Sequence, residues 1–141
     1  MELTVKTKIT VQSSIKAPIE KVWKCWTSAD DIINWYSASE DWHTPKAENN
    51  FINDGKFNYR MEAKDGSFGF NLEGIFTTIT LNKLIEYKLA DDRKVSIEFE
   101  SSENTTLVKE TFEAENENPI ELQRSGWQAI LDHFKEYVEM L

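Results

Sequence analysis

The chain has 141 residues, 40% apolar and 12% aromatic, with a formal net charge of −9 from 25 acidic against 16 basic side chains. That length suits one domain over residues 1–141, large enough to need no disulfide or metal staple, and the aromatic load excludes a disordered chain. The negative charge, with no basic patch to override it, argues against binding nucleic acid and against docking on an anionic membrane.

Residues 5–15 alternate. Val5, Thr7, Ile9, Val11, Ser13 and Ile15 fall on one side, Lys6, Lys8, Thr10, Gln12 and Ser14 on the other. This period of two predicts a strand with one face toward a core. The pattern breaks at Ala17-Pro18. Pro18 suits the first position of a helix and Glu20 its first turn, and Ile19, Val22, Trp23 and Trp26 follow at helical spacing. Ser28 reads as an N-cap with Asp31 three positions on, opening a second short helix that carries Ile32, Ile33, Trp35 and Tyr36. The two helices are expected to pack under a sheet edge.

From residue 44 to 114 the signals are strand and turn. Asn53-Asp54-Gly55 and Asp65-Gly66 read as hairpin turns in which glycine takes the positive φ. Phe57, Tyr59, Met61 and Ala63 alternate with polar residues between them, and Phe68, Phe70, Leu72 and Phe76 follow. Gly69 reads as close backbone approach, and Gly74 as a bulge or bend. Ile85, Tyr87 and Leu89 predict a further strand. Val95, Ile97 and Phe99 predict another after the Asp91-Asp92 turn, and Val108 and Phe112 a last one after Ser102-Glu103-Asn104. Short turns between successive strands build an antiparallel meander.

Asn118 as N-cap, Pro119 at the first position and Glu121 at the third announce a final helix. Trp127, Ile130, Leu131, Phe134, Val138 and Leu141 form its apolar stripe, opposite Gln128, Asp132, Lys135, Glu136 and Glu139. Strand, two helices, a run of strands and one long helix give an α+β fold: a curved sheet with the helix across its concave face.

The segments IKAPIEKVWKCWT, IINWYS, DGKFNYRMEAKDGSFGF, LEGIFTTI and ELQRSGWQAILDHFKEYVE stand in this order from about residue 9 to the end. They resemble the helix-grip superfamily of START, Bet v 1-like and polyketide-cyclase-like domains. The likeness is closer to bacterial relatives of the C-terminal domain of the Hsp90 ATPase activator. Asp54-Gly55 departs from the two glycines that many relatives carry. The resemblance implies a helix-grip sheet of six to seven antiparallel strands around the terminal helix, with a cavity for an apolar or aromatic small molecule and a stress-related role. Trp35, Trp42, Tyr59, Met61, Phe70, Phe76, Tyr87, Phe99, Trp127, Leu131 and Phe134 are the residues expected to face that cavity.

No catalytic or metal motif accompanies it. His43 and His133 stand apart, no paired cysteines or HExxH spacing occurs, and the glycines form no phosphate-cradling loop, so neither metal nor cofactor is expected. The lone Cys25 reads as a small buried hydrophobe. With no secretory signal pattern and no apolar run near the ~20 residues of a membrane span, a cytoplasmic protein is expected. Glu110 shares a row with Val108 and Phe112. The preferred expectation is that a bulge turns it outward or that Arg60, Arg93 or Arg124 pairs with it; the alternative is a carboxyl inside the concavity. Function is thus expected to be non-enzymatic binding of a hydrophobic small molecule. The alternative is a cyclase- or dehydratase-like enzyme using Glu110, His43 and Tyr59, and a weaker one is association with an Hsp90-type chaperone.

Overall fold

A computed structural model describes residues 7–141. Val5 and Lys6 of the expected first strand lie outside the described residues. The elements run β1 (Lys8–Ile15), α1 (Ile19–Thr27), α2 (Ala29–Trp35), β2 (Trp42–Asn49), β3 (Lys56–Ala63), β4 (Gly69–Thr80), β5 (Leu84–Leu89), β6 (Lys94–Ser102), β7 (Thr105–Glu113) and α3 (Ile120–Met140). The strands form one antiparallel sheet in the order β1-β7-β6-β5-β4-β3-β2. This is the α+β helix-grip fold, a curled half-barrel with the long helix held against it.

The alternating residues do what their spacing requires. Phe57, Tyr59, Met61 and Ala63 on β3, Ile85, Tyr87 and Leu89 on β5, and Val95, Ile97 and Phe99 on β6 are all buried. The exceptions are the start of β4, where Phe70 is exposed and Leu72 half-buried, and β2, whose burial does not alternate. A register shift between His43 and Lys46 displaces its pairing with β3, and Pro45 sits in the bulge. An edge strand tolerates both, because one side of its backbone has no partner to lose.

Gly66 takes the positive φ expected of its turn, at 77°, but the other glycines play different parts. At the 53–55 turn the positive φ belongs to Asp54, at 67°. Gly55 is required for space instead: a Cβ there would collide with the Asn50 carbonyl oxygen. Gly74 is not a bulge. It pairs in register with Phe57 and Leu89, and a Cβ would meet the Phe57 ring at 2.6 Å. The bulge falls between Phe76 and Thr78. At Gly69 the close neighbour is the Arg60 guanidinium, 2.5 Å from where a Cβ would stand, rather than backbone.

The helix starts are shifted by one residue. Pro18 and Pro119 are themselves the N-caps. Asn118 bonds the Glu115 carboxylate instead of capping. Ser28 does cap α2, without a side-chain bond to it. Asp31 turns to accept from the Tyr137 hydroxyl at 2.5 Å and from Lys24 at 3.2 Å, tying α2 to α3.

The helices close the gap between the two edges of the sheet. α2 packs on β2, and α3 runs along β1. Part of the face of α3 expected to point to solvent covers that edge. Arg124 donates to the Thr10 carbonyl, Gln128 to Gln12 and Lys135 to Ser14, while Glu139 accepts from the Lys16 amide. Alternate free carbonyls of an edge strand are thereby satisfied, which hides a template for aggregation. On the inner side Leu131, Phe134 and Val138 are fully buried, whereas Leu141 at the end of the stripe is exposed.

Candidate functional site

Two separate spaces remain on the concave side. The first is enclosed, about 20 Å³, among Trp35, Tyr36, Tyr59, Phe76 and Tyr87. It has room for about one water molecule. The rest of the concavity is filled by α1 and α2 as well as α3. Trp26 and Trp35 meet the Phe134 ring with centroids at 4.7 and 4.6 Å. Phe99 packs edge-on against Trp23 at 5.1 Å. Phe99, Leu131 and Phe134 therefore belong to solid core and line neither space.

The second space is an open groove of about 460 Å³. Trp42, Met61, Phe70 and Leu72 form one wall, and Leu122, Gly126, Trp127 and Ile130 of α3 form the other. Its volume is in the usual range of small-molecule sites, about 300–1,000 Å³. Trp127 is fixed by lying flat on Phe112, with centroids 3.9 Å apart and planes 8° from parallel. Gly126 sits mid-helix, and a Cβ there would meet nothing within 4 Å. Such a glycine costs the helix roughly 0.5–1 kcal/mol relative to alanine, and here it leaves the groove open. At the rim the polar groups satisfy each other. Gln123 donates to the Glu115 and Asn118 carbonyls, and Arg93 pairs with Asp91 at 2.7 Å. A larger depression of about 920 Å³ spreads over charged residues of β3–β5, including Lys56, Glu73 and Lys88. Those side chains are well solvated, so its size argues less for a ligand than the apolar walls of the groove.

Between the two spaces stands Tyr36, which lines both. It caps α2, its amide bonding the Ile32 carbonyl, and its own carbonyl accepts from the buried Thr44 hydroxyl at 2.5 Å. The ring lies 5.3 Å from that of Tyr59. The Tyr36 and Tyr87 hydroxyls are near enough for each to influence the other's ionisation. Burial first, then the Glu110 charge, raises the Tyr36 hydroxyl well above its ordinary value. Burial also pushes Tyr59 up to about 12. All three phenols are therefore neutral donors at physiological pH.

Glu110 acts on this cluster through its charge. It is 4% exposed on the inward row of β7, opposite Val11 and Ile97 in an unbroken register. The outward bulge and the arginine partner are both absent. Arg60 pairs with Glu62 at 2.8 Å, Arg93 with Asp91, and Arg124 with the Thr10 carbonyl. Among the described residues no hydrogen bond or ion pair meets the Glu110 carboxyl, and burial pushes it up to about 8. Tyr36 thus separates the groove from the enclosed space lined by Tyr59 and Tyr87, while Glu110, whose charge acts on Tyr36 and Tyr87, lines neither.

The structure separates the other sequence candidates from this cluster. His43 on β2 approaches Glu62 at 4.0 Å, and His133 faces the Ser37 hydroxyl at 3.5 Å. Among the described residues no group of three or more His, Cys, Asp or Glu side chains is placed to share a metal ion. Trp42, Met61, Phe70 and Trp127 line the groove; Trp35, Tyr59, Phe76 and Tyr87 line the enclosed space. Sequence reasoning missed Tyr36, Leu122 and Gly126. The signal for Gly126 was present, as a glycine in the middle of a strongly amphipathic helix.

Comparison with known proteins agrees with the fold. Residues 16–139 match the family model described as Activator of Hsp90 ATPase homolog 1-like protein. The solution structure of an AHSA1-like protein from Aeromonas hydrophila is 40% identical over 95% of this chain and 93% of its own, with a TM-score of 0.89. A structure from Cytophaga hutchinsonii is 47% identical over 94% of this chain and 92% of its own, with a TM-score of 0.82. The Aha1 dimer from Colwellia psychrerythraea shares the fold at 19% identity, covering 95% of this chain and 97% of that one, with a TM-score of 0.75. Among curated proteins no sequence matches.

Proposed function

This chain belongs to the Activator of Hsp90 ATPase homolog 1-like family, and from that premise we propose that it binds a hydrophobic small molecule in the groove between α3 and the β3–β4 wall. The observation that carries the reading is the groove itself, apolar on both walls and kept open at Gly126. A side chain at position 126 would stabilise the helix and cover apolar surface, so its absence favours an occupant. The test uses the neutral fluorophore N-phenyl-1-naphthylamine. Wild-type protein enhances its emission and Gly126→Phe does not, while both proteins keep the same circular dichroism. Equal enhancement by the two would remove the groove as the binding place.

A second reading has its own observation. An acid raised to about 8 by burial, near the Tyr36 and Tyr87 phenols, can donate to a carbonyl oxygen or exchange a proton with a bound substrate. In a cyclase- or dehydratase-like reaction Glu110 would be the acid/base and Tyr59 a positioning donor. His43 is tied to Glu62 rather than to the phenol cluster. A substrate turned over by wild-type protein and equally by Glu110→Gln would end that role. Association with an Hsp90-type chaperone draws on the family description alone, and failure to stimulate the ATPase of the host's Hsp90 homologue would dismiss it. A reducing cytoplasm is the proposed place of action, consistent with a single cysteine, Cys25, buried and with its thiol pushed up by burial. No helix of the described residues is long and apolar enough to cross a membrane.

A further inference from the structure

A cleft selects its ligand by the hydrogen bonds its walls leave open as much as by its shape, because water displaced from a polar group must be replaced in kind. The groove leaves donors open. Arg93 is the one cation among the described residues that line it. The Asp91 carboxylate accepts from the Arg93 amide at 3.3 Å and from its Nε at 2.7 Å. That grip orients the guanidinium and occupies Nε. The Nη groups, on a side chain only 20% exposed, have no acceptor among the described residues. Trp42 and Trp127, one on each wall, make ring contacts but no hydrogen bond, so their indole N–H groups are open too. None of these donors is sealed from water: among the described residues the one sealed side-chain polar atom without a partner is Asn58 Oδ1, in the charged depression of β3–β5. The acceptors at the rim are in use. The Gln123 side-chain carbonyl takes the Glu115 amide, and the Glu115 carboxylate takes two bonds from Asn118.

Charge narrows the class further. Asp91 already neutralises Arg93, Glu115 adds a negative charge to the lining, and the whole chain carries −9. A ligand carboxylate would come in against that field. An ammonium would meet the Arg93 cation and bring the open donors nothing to bond. A neutral oxygen that only accepts meets neither objection. We infer that the groove takes a neutral carbonyl compound, an apolar ketone or ester whose body lies between α3 and the β3–β4 wall and whose oxygen accepts from the Arg93 Nη groups. This rests on the binding reading above and adds the chemical class of the ligand. Asp91 is then a positioning residue: it aims the guanidinium and cancels the charge that would otherwise favour acids.

The experiment compares 1-acetonaphthone, 1-ethylnaphthalene and 1-naphthoate, which share one apolar body and differ in the group offered to Arg93. Affinities are read at pH 7 by displacement of N-phenyl-1-naphthylamine from wild-type protein and from Arg93→Met, which keeps an unbranched side chain. Asp91, 56% exposed, stays hydrated without its partner. The substitution weakens the ketone at least about tenfold and leaves the hydrocarbon within about twofold, and naphthoate binds wild type more weakly than the ketone. A second readout stands even if the variant fails to fold: with wild type in excess, the infrared carbonyl stretch of the ketone lies below its value in cyclohexane, as a hydrogen bond requires. A ketone weakened no more than the hydrocarbon, a stretch at the cyclohexane value, or a naphthoate that binds more tightly than the ketone overturns the inference and leaves the groove as a binding place of another class. If none of the three binds, or if Gly126→Phe binds all three as wild type does, the groove reading itself falls and the carbonyl class falls with it.

Discussion

Replacing Glu110 with glutamine should make the protein more stable, and by an amount that grows with pH. A glutamate in the unfolded chain ionises near its ordinary value of 4.5, whereas burial holds the folded group up to about 8. Because the folded value is raised, the stability associated with the protonated carboxyl is fully present below about 4.5. It is lost as pH rises and is gone by the time pH passes 8. Each pH unit inside that window costs about 1.4 kcal/mol, so from pH 5 to pH 8 the wild type should lose about 4 kcal/mol relative to Glu110→Gln. That is an upper bound, since water reaching the ionised group would reduce it. Against a typical total of about 5–15 kcal/mol it is a large fraction. The groups held low, Asp65 by its bonds to Ser67 and Glu139 by its bond to Lys135, act on the acid side in both proteins and cancel in the difference. Urea unfolding of both variants at pH 5, 6, 7 and 8 measures the window. A difference that stays flat across it would refute the burial of an unpartnered acid.

Three further changes probe the groove and its frame. Gly126→Ala should raise stability by about 0.5–1 kcal/mol in thermal unfolding, because a Cβ there meets open space. Gly74→Ala should destabilise by about 1–3 kcal/mol, because its methyl would press on the Phe57 ring and the Lys88 carbonyl. Replacing Gln128 and Lys135 together by alanine removes the caps on the Gln12 and Ser14 carbonyls. Stability should change by under about 2 kcal/mol in total, while light scattering shows concentration-dependent association through the bared β1 edge.

Alternation alone placed β1, β3, β5, β6 and β7, because each packs one face on the core and leaves the other wet. It could not place β2, where Pro45 and the register shift break the period and the strand is half exposed on both faces. Gly66 was legible in kind as a positive-φ turn residue, but Gly55, Gly69 and Gly74 were legible only as special. At Gly55 and Gly74 the constraint is a neighbour brought in from another part of the chain, which no local pattern reveals. Most of the aromatic set was legible as inward-facing, with Phe70 the exposed exception, yet the division into core, enclosed space and groove was not. That division depends on how deeply Trp26 and Trp35 intrude beside Phe134, a three-body contact between separate elements. Tyr36 escaped notice for the same reason: its importance lies in standing between two spaces. Strand parity put Glu110 in the inward row, and the mistaken part was to prefer an outward bulge or an arginine partner, because the β7 register is unbroken and Arg60, Arg93 and Arg124 are each engaged elsewhere.

The most direct test of the account is a residue-by-residue map of binding. Amide resonances of 15N-labelled protein, followed during titration with 1-acetonaphthone and with 1-ethylnaphthalene, should shift at Tyr36, Met61, Gly126, Trp127 and Ile130, the residues on the two groove walls and at its inner end. Shifts confined to the outer face around Asn58, Glu73 and Lys88, or spectra unchanged at saturation of either probe, would contradict it.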